Sequence, residues 1–303
     1  MRFYTTAVAV LALASSSFAA PTSSKRSISA LSSSTLSGFA PFTQFARATY
    51  CGADKLKNWS CGEACKANPT FQPSLVGGDG NAIQTFFVGF WPDQKSIVVG
   101  HEGTDPVALK SDLTDAVFFL QDLDTKLFPG VSSNVKAHNG FLDEHAKTAS
   151  QILAEVKTLI SKTGATQVIT IGHSLGGALA QLDSLFFTLN LPSSVHIKSV
   201  TYGTPRVGNS EYAALFDSKV SDFVRINNEH DLVPIVPGRF LGFKHPHGEI
   251  HIVSPGNAVS CSGDDDSSDE KCTIKTVPNI VEGNIFNHLG PYEGINLGTI
   301  FCT

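Results

Sequence analysis

The chain has 303 residues, 42% of them hydrophobic, and a formal charge of −5 at pH 7. That length and apolar content suffice for one α/β domain with a sizeable buried core. With 27 Asp and Glu against 22 Lys and Arg, a basic nucleic-acid binder is disfavoured and no nucleic acid is expected as a partner.

Residues 1–19 carry one early cation, Arg2, an apolar run from Ala7 to Ala14 and small residues at Ser17 and Ala19. This is the pattern of a secretory signal peptide, too short to span a membrane, and implies an extracellular location. Residues 20–45 begin Ser-rich and contain Lys25-Arg26. They read either as a pro-segment cut at a dibasic site or as an ordinary disordered lead. Removing residues 1–26 takes away three cations and no acid, moving the charge from −5 to −8. Residues 46–303 are read as a single domain, and no other apolar run approaches the roughly 20 residues of a transmembrane helix.

Six cysteines in a chain with a signal peptide point to three disulfides, with fifteen possible connectivities. Local spacing suggests Cys61–Cys65 and Cys261–Cys272, leaving Cys51 and Cys302 to tie the start of the domain to its end. Metal binding near Cys61 is disfavoured because no His pair lies close by. Asn58-Trp59-Ser60 is a glycosylation sequon, whereas Asn68-Pro69-Thr70 is blocked by its proline.

Residues 85–91 and 96–100 are strand-like and separated by Pro92-Asp93-Gln94-Lys95, which has hairpin chemistry. After the second strand comes Gly103-Thr104, a turn whose Thr offers both an N–H and a hydroxyl. Between Leu142 and Lys162 the apolar residues Ala146, Ala149, Ile152, Leu153, Val156, Leu159 and Ile160 recur at helical spacing. A strand at 167–171, a helix at 175–190 and strands at 197–202 and 223–227 then alternate. The alternation predicts an α/β fold, a mostly parallel central sheet with helices on both faces.

The strand 167–171 runs into Gly172-His173-Ser174-Leu175-Gly176 and then into a small-residue helix. Five residues of this kind recur by chance too readily to stand alone, so the flanks carry the assignment. Ser174 would sit on a sharp strand-to-helix turn where flanking glycines avoid a Cβ clash. A serine hydroxyl is a weak nucleophile and needs a histidine base oriented by an acid. In α/β-hydrolase order the acid and then the histidine follow the serine. Asp231 lies just past the strand 223–227, with Pro234 and Pro237 stiffening the turn after it. Asp183 would lie on a helix, Asp217 in a helix or loop, and residues 264–270 in an acidic tract read as a solvated loop. Among the histidines, His251 alternates with Ile250 and Ile252 as on a solvated strand face, while His245 and His247 flank Pro246 in a loop. His288, in a loop late in the chain, is narrowly ahead of His245 by position. Oxyanion donors are expected from the Leu175 N–H and from the Gly103-Thr104 turn.

With these residues in order, the chain resembles the secreted fungal lipases of the class 3 type, a family that includes a feruloyl esterase branch. The resemblance runs from about Thr49 to Cys302. It includes Ala48-Thr49-Tyr50-Cys51, the Gly103-Thr104 turn, His138-Asn139-Gly140-Phe141, the stretch 172–177, the stretch 201–209, the stretch 228–234 and the closing His288…Tyr292 pair. It implies an α/β-hydrolase with Ser174, Asp231 and His288 as the triad and Thr104 with Leu175 as the oxyanion hole. It leaves His245 without a catalytic part. Family disulfides match Cys51–Cys302 and Cys61–Cys65. One more residue than usual separates His288 from Tyr292. Family lipases carry a short helical lid just after the oxyanion turn, which here falls on 105–113, with Pro106, Val107, Ala108 and Leu109 as lid candidates. The implied activity is hydrolysis of acylglycerol esters at an oil–water interface, with no metal or organic cofactor and no stable protein partner. A feruloyl-type or other soluble-substrate esterase is the alternative, and an inert binding module on the same fold is disfavoured because each triad position holds the required residue.

Overall fold

The computed structural model describes Met1 and residues 28–104, 119–265 and 267–302. The described residues contain thirteen strands. They are β1 Ser29–Ala30, β2 Gln72–Gly77, β3 Phe86–Trp91, β4 Ser96–His101, β5 Leu120–Asp122, β6 Lys136–His138, β7 Gln167–His173, β8 His196–Tyr202, β9 Gly208–Asn209, β10 Asp222–Asn228, β11 Phe243–Lys244, β12 Glu249–Ser254 and β13 Asn257–Ser260. Nine of them form one sheet in the order β1-β13-β12-β10-β8-β7-β4-β3-β2, while β11-β9-β6-β5 form a small antiparallel second sheet. The stretch β4-β7-β8-β10-β12 is parallel throughout, and the antiparallel pairings lie to either side.

Parallel strands need covering on both faces, and the helices supply that cover. In chain order they are α1 Ser33–Ser37, α2 Ala40–Thr49, α3 Ala53–Lys57, α4 Gly62–Ala67, α5 Asn139–Thr163, α6 Leu175–Asn190, α7 Ser210–Lys219, α8 Thr273–Thr276 and α9 Ile285–His288. Successive strand residues point to opposite sides. Ile97, Val99 and Val168 join a core with Ile152 and Val156 of α5, Leu182 of α6 and Phe216 of α7. Their neighbours Val98 and Ile169 join the opposite core with Phe45 of α2 and Leu56 of α3. The helix expected at 142–162 begins earlier, at Asn139, where His138 Nδ1 accepts from the Phe141 N–H as a cap. The turn between β3 and β4 is a 3₁₀ segment, Pro92–Gln94, closed by Lys95 at φ 49°.

Residues 28–45, placed ahead of the domain by the sequence reading, carry β1, α1 and the first half of α2. β1 adds to the sheet edge beside β13, Ser32 Oγ caps α1 by accepting from the Thr35 N–H at 3.1 Å, and Leu36 and Phe45 are buried.

Two surface expectations are corrected. His251 is fully buried, its ring between the carbonyls of Lys271 and Glu229, because the loop after Cys261 covers the strand face that alternation alone reads as solvated. The start of the acidic tract is anchored rather than solvated. Asp265 pairs with buried Arg206, Asp264 pairs with Lys244 at 2.7 Å, and the Asp264 carbonyl accepts from Arg225 at 2.6 Å.

All three disulfides form as the spacing suggested: Cys51–Cys302, Cys61–Cys65 and Cys261–Cys272. Cys51–Cys302 closes a separation of 251 residues. In the chain-entropy view such a loop contributes about 5 kcal/mol and the short Cys61–Cys65 loop about 2 kcal/mol. Replacing Cys51 and Cys302 together by Ser should therefore lower the urea midpoint more than replacing Cys61 and Cys65. Equal midpoints would mean that contacts such as Arg47 on the Phe301 carbonyl, at 2.6 and 2.8 Å, already hold the terminus.

Candidate active site

The carboxyl ends of four neighbouring strands converge on one edge of the sheet, where ligands of open α/β sheets bind. β4 leads into Glu102-Gly103-Thr104, β7 into Ser174, β8 into Gly203 and β10 into the turn bearing Asp231.

Ser174 has φ 58° and ψ −128°, a left-handed conformation that side chains rarely adopt. The neighbouring glycines show why. A Cβ on Gly172 would lie 2.0 Å from the Gly176 carbonyl oxygen, and one on Gly176 would lie 2.2 Å from that of His101. β7, α6 and the end of β4 approach more closely than any side chain allows. The Ser174 N–H donates to the Tyr202 carbonyl at 2.9 Å, and its own carbonyl accepts from Gly177 N and Ala178 N. The serine thus begins a 16-residue helix whose first N–H, that of Leu175, is among the four with no intrahelical acceptor. Thr104 reaches the same place because Gly103 packs on the elbow, where a Cβ would sit 2.9 Å from that of Ser174.

His288 does not lie in an open loop but ends the short helix α9, which Asn284 caps. Its Nδ1–H donates to Asp231 Oδ2 at 2.9 Å. Asp231 Oδ1 accepts from the Val233 N–H, also at 2.9 Å. Ser174, Asp231 and His288 are all buried. Because His288 Nδ1 carries the proton toward the carboxylate, Nε2 presents its lone pair. Ser174 Oγ and His288 Nε2 are both buried polar atoms without a hydrogen-bond partner among the described residues.

Side chains that the sequence reading left without a role hold this arrangement. The His288 carbonyl accepts from His173 Nε2–H at 2.8 Å and from the Tyr292 hydroxyl at 3.1 Å. His173 Nδ1 then accepts from the Tyr50 hydroxyl at 2.6 Å. Burial and the neighbouring His288 hold His173 well below the ordinary histidine range, so it stays neutral in the tautomer these bonds need. Burial, followed by the Asp231 charge, pushes the Tyr292 phenol well up and keeps it a donor. The bond to His288 forms despite the extra residue before Tyr292. Gly203, at φ 50°, leaves room for the pair, since a Cβ there would be 2.7 Å from His288 Nδ1 and 2.8 Å from Asp231 Oδ2. Gly203 and Tyr50 carried no sequence signal beyond the stretches 201–209 and 48–51 in which they lie.

The other candidates fall elsewhere. His245 is buried and donates to the Pro234 carbonyl at 2.8 Å, and His247 pairs with Asp217. Asp183 lies on α6 as expected, buried and bonded to His101 and His145. Asn58 is exposed at the end of α3. Pro106, Val107, Ala108 and Leu109 lie outside the described residues. Among the described residues the one cluster with metal-ligand spacing is Glu249 with Cys261 and Cys272, whose sulfurs are joined in a disulfide.

The profile of the lipases of class 3 matches residues 98–241. This interval holds β4, the Gly103-Thr104 turn, the elbow and Asp231. A secreted mono- and diacylglycerol lipase of Malassezia globosa is 34% identical over 186 residues, covering 61% of this chain and 60% of the relative. Lipase II from Rhizopus niveus superposes with a TM-score of 0.78 at 26% identity, over 91% of this chain and all of that one. This chain belongs to the class 3 lipase family. A second solved structure, of a triacylglycerol lipase described as having a serine-protease triad at its catalytic centre, also gives a TM-score of 0.78 at 26% identity, over 91% of this chain and 100% of that one. The match spans about three fifths of the curated Malassezia relative's length. In class 3 terms the fold is the expected α/β-hydrolase.

Two outcomes follow from this geometry. Gly203→Ala should lower stability by about 1–3 kcal/mol and separate His288 from Asp231. The check is loss of the downfield Nδ1–H proton resonance that the wild-type pair should show. Separately, His173 and His245 are held well below their ordinary value by burial, and His138 is held at about 4 for the same reason. The unfolded chain therefore takes up protons first as pH falls below about 6.5. Stability should be full above that pH and decline toward pH 4, read as a falling urea midpoint; a flat midpoint between pH 7 and 4.5 would contradict it.

Proposed function

We propose that this chain is a secreted carboxylic-ester hydrolase acting on acylglycerols through a covalent acyl-enzyme. The observation that carries the reading is the juxtaposition at the elbow. A strained, buried Ser174 stands beside the buried His288–Asp231 pair, and neither Ser174 Oγ nor His288 Nε2 has a hydrogen-bond partner among the described residues.

His288 Nε2 takes the Ser174 hydroxyl proton as Oγ attacks the ester carbonyl. Asp231 holds the imidazole in its Nδ1–H tautomer and stabilises the imidazolium that forms. The carbonyl oxygen, now an oxyanion, accepts from the Leu175 N–H and from the N–H and hydroxyl of Thr104, beside the positive end of the α6 dipole. His288 Nε2–H then protonates the leaving alcohol as its C–O bond breaks. Water, deprotonated by His288, attacks the acyl-serine, releasing the carboxylic acid and restoring Ser174. Side chains and backbone handle each proton and charge, so the chemistry requires no metal or organic cofactor.

An apolar surface favours a lipid substrate. The segments after Asp231 and before His288 border a groove of about 510 Å³ lined by Ile235, Val236, Phe240, Leu241, Ile274 and Ile280. Phe240, Val281 and Phe286 are 90%, 88% and 76% exposed, an arrangement suited to a lipid–water boundary. The Malassezia relative is named a mono- and diacylglycerol lipase, which supports the same substrate class. A lid over 105–113, export directed by residues 1–19, processing at Lys25-Arg26 and a glycan on exposed Asn58 are part of the proposal. No helix among the described residues is long and apolar enough to cross a membrane.

Ser174→Ala should lower turnover of p-nitrophenyl butyrate by a factor on the order of 10⁴. Retention of wild-type turnover would exclude this mechanism. Tributyrin emulsion should be hydrolysed faster than methyl ferulate; the reverse ranking would move the chain to the feruloyl branch.

A further inference from the structure

A second buried polar cluster lies behind the elbow. Asp183, on α6, accepts from His101 Nε2–H at 2.7 Å through Oδ2 and from His145 Nε2–H at 2.9 Å through Oδ1. All three side chains are buried, and the His145 ring packs between Phe128 and Phe186 at centroid distances of 5.5 and 5.4 Å. Burial pushes the Asp183 carboxyl up, but the two histidine bonds more than offset it and hold the group below its ordinary range.

We propose that Asp183, bridging His101 and His145, is a positioning group that holds the two oxyanion donors at their working separation within the frame the glycine contacts allow. The proposal rests on the ester-hydrolase reading above. One donor, the Leu175 N–H, rides on α6, eight residues before Asp183 and about 12 Å along the same rigid axis. The other, Thr104, follows His101 after only Glu102 and Gly103. The β4–β7 pairing ends at His101 opposite Gly172, so the ladder fixes nothing beyond that point. There the Asp183 carboxylate adds a directional bond between the helix carrying one donor and the strand end carrying the other, on top of the close packing of Gly176 on His101 and of Gly103 on the elbow. The far side of the turn is held by Glu102, whose N–H donates to the Thr85 carbonyl at 2.8 Å and whose carboxylate accepts from the Thr85 N–H at 3.1 Å. His145 fixes the carboxylate from α5, so Asp183 cannot rotate away from His101.

An apolar trio would fill this space without burying a charge. A directional bond, unlike apolar contact, constrains the angle as well as the separation, and donors to an oxyanion lose effect steeply with misplacement. Asp183→Asn keeps the shape but cannot accept from both histidines in their present tautomers.

The test uses the full chain, with active sites counted by a fluorophosphonate, turnover measured on p-nitrophenyl butyrate and affinity measured for phenylboronic acid, which forms a tetrahedral adduct on serine. Asp183→Asn should lower kcat about 10- to 100-fold with KM within about twofold. Its boronate Ki should rise by the factor by which kcat/KM falls. His145→Gln, which leaves the Asp183–His101 bond in place, should show the same pattern at about three- to tenfold. Wild-type kcat in folded Asp183→Asn would overturn the proposal, as would a fall in kcat with boronate affinity unchanged. If Asp183→Asn does not fold, His145→Gln decides: a proportional change in kcat/KM and boronate Ki supports the proposal, and wild-type values overturn it. A wild-type protein that fluorophosphonate does not label would instead show that the ester-hydrolase reading itself had failed.

Discussion

Backbone crowding at the turn after β7 is the constraint on which the site depends. Gly172, Gly176 and Gly103 bring β7, α6 and the loop after β4 to separations where a Cβ would lie 2.0 to 2.5 Å from a carbonyl oxygen. At that separation the chain turns from strand to helix within one residue, and Ser174 takes the left-handed conformation at φ 58°. Strain of this sort costs on the order of 1–3 kcal/mol and persists only where the surroundings over-determine it. Here they do. Ile169, Ile171, Ala178 and Leu182 on either side are buried to 1% exposure or less, and both backbone groups of Ser174 are hydrogen-bonded. The same contact sets the Leu175 N–H and the turn leading to Thr104 beside the serine, so one crowded turn gathers the groups to which the proposed mechanism gives the attack and the developing charge.

Burial gives the site its electrostatic character. A buried carboxylate is tolerated only when its oxygens are occupied, and Asp231 meets this with His288 on one oxygen and the Val233 N–H on the other. The same desolvation holds His173 neutral, so that it donates through one nitrogen and accepts through the other. The turn carrying Asp231 has its own support. The Arg206 side chain donates to the Pro237 carbonyl and pairs with Asp265, while the Arg206 N–H donates to the Val236 carbonyl. The head of the acidic tract therefore belongs to the scaffold beneath the acid.

Stability and positioning meet at the N-terminal layer. Tyr50, whose hydroxyl reaches His173, directly precedes Cys51, whose disulfide draws the chain's end onto α2 and α3. Arg47 of α2 holds the Phe301 carbonyl beside it. The cross-link that most restricts the unfolded chain is thus one residue from a hydroxyl that orients the support of His288. The segment from residue 28 adds Leu36 to the same apolar face.

Local pattern and residue chemistry made much of this readable in the sequence. Continuous apolar strands, helical periodicity in α5 and the glycines around Ser174 are short-range features, set by sterics and solvent and requiring no knowledge of distant contacts. For that reason the order of strands and helices, the elbow and Asp231 at a strand end were legible. His288 was separated from His245 only narrowly, since which of two late histidines reaches a carboxylate depends on chain paths that spacing does not encode. The roles of Tyr50, Gly203 and Tyr292, and the buried state of His251 and Asp265, came from the tertiary structure. Each depends on what packs against the residue from 20 to more than 120 positions away or across a sheet, or, for Tyr292, on how a loop with one extra residue closes. The sequence by itself determined which chemical groups the chain carries and which elements bear them; long-range packing, through exclusion of water and the close approach that glycine allows, decided which of those groups meet.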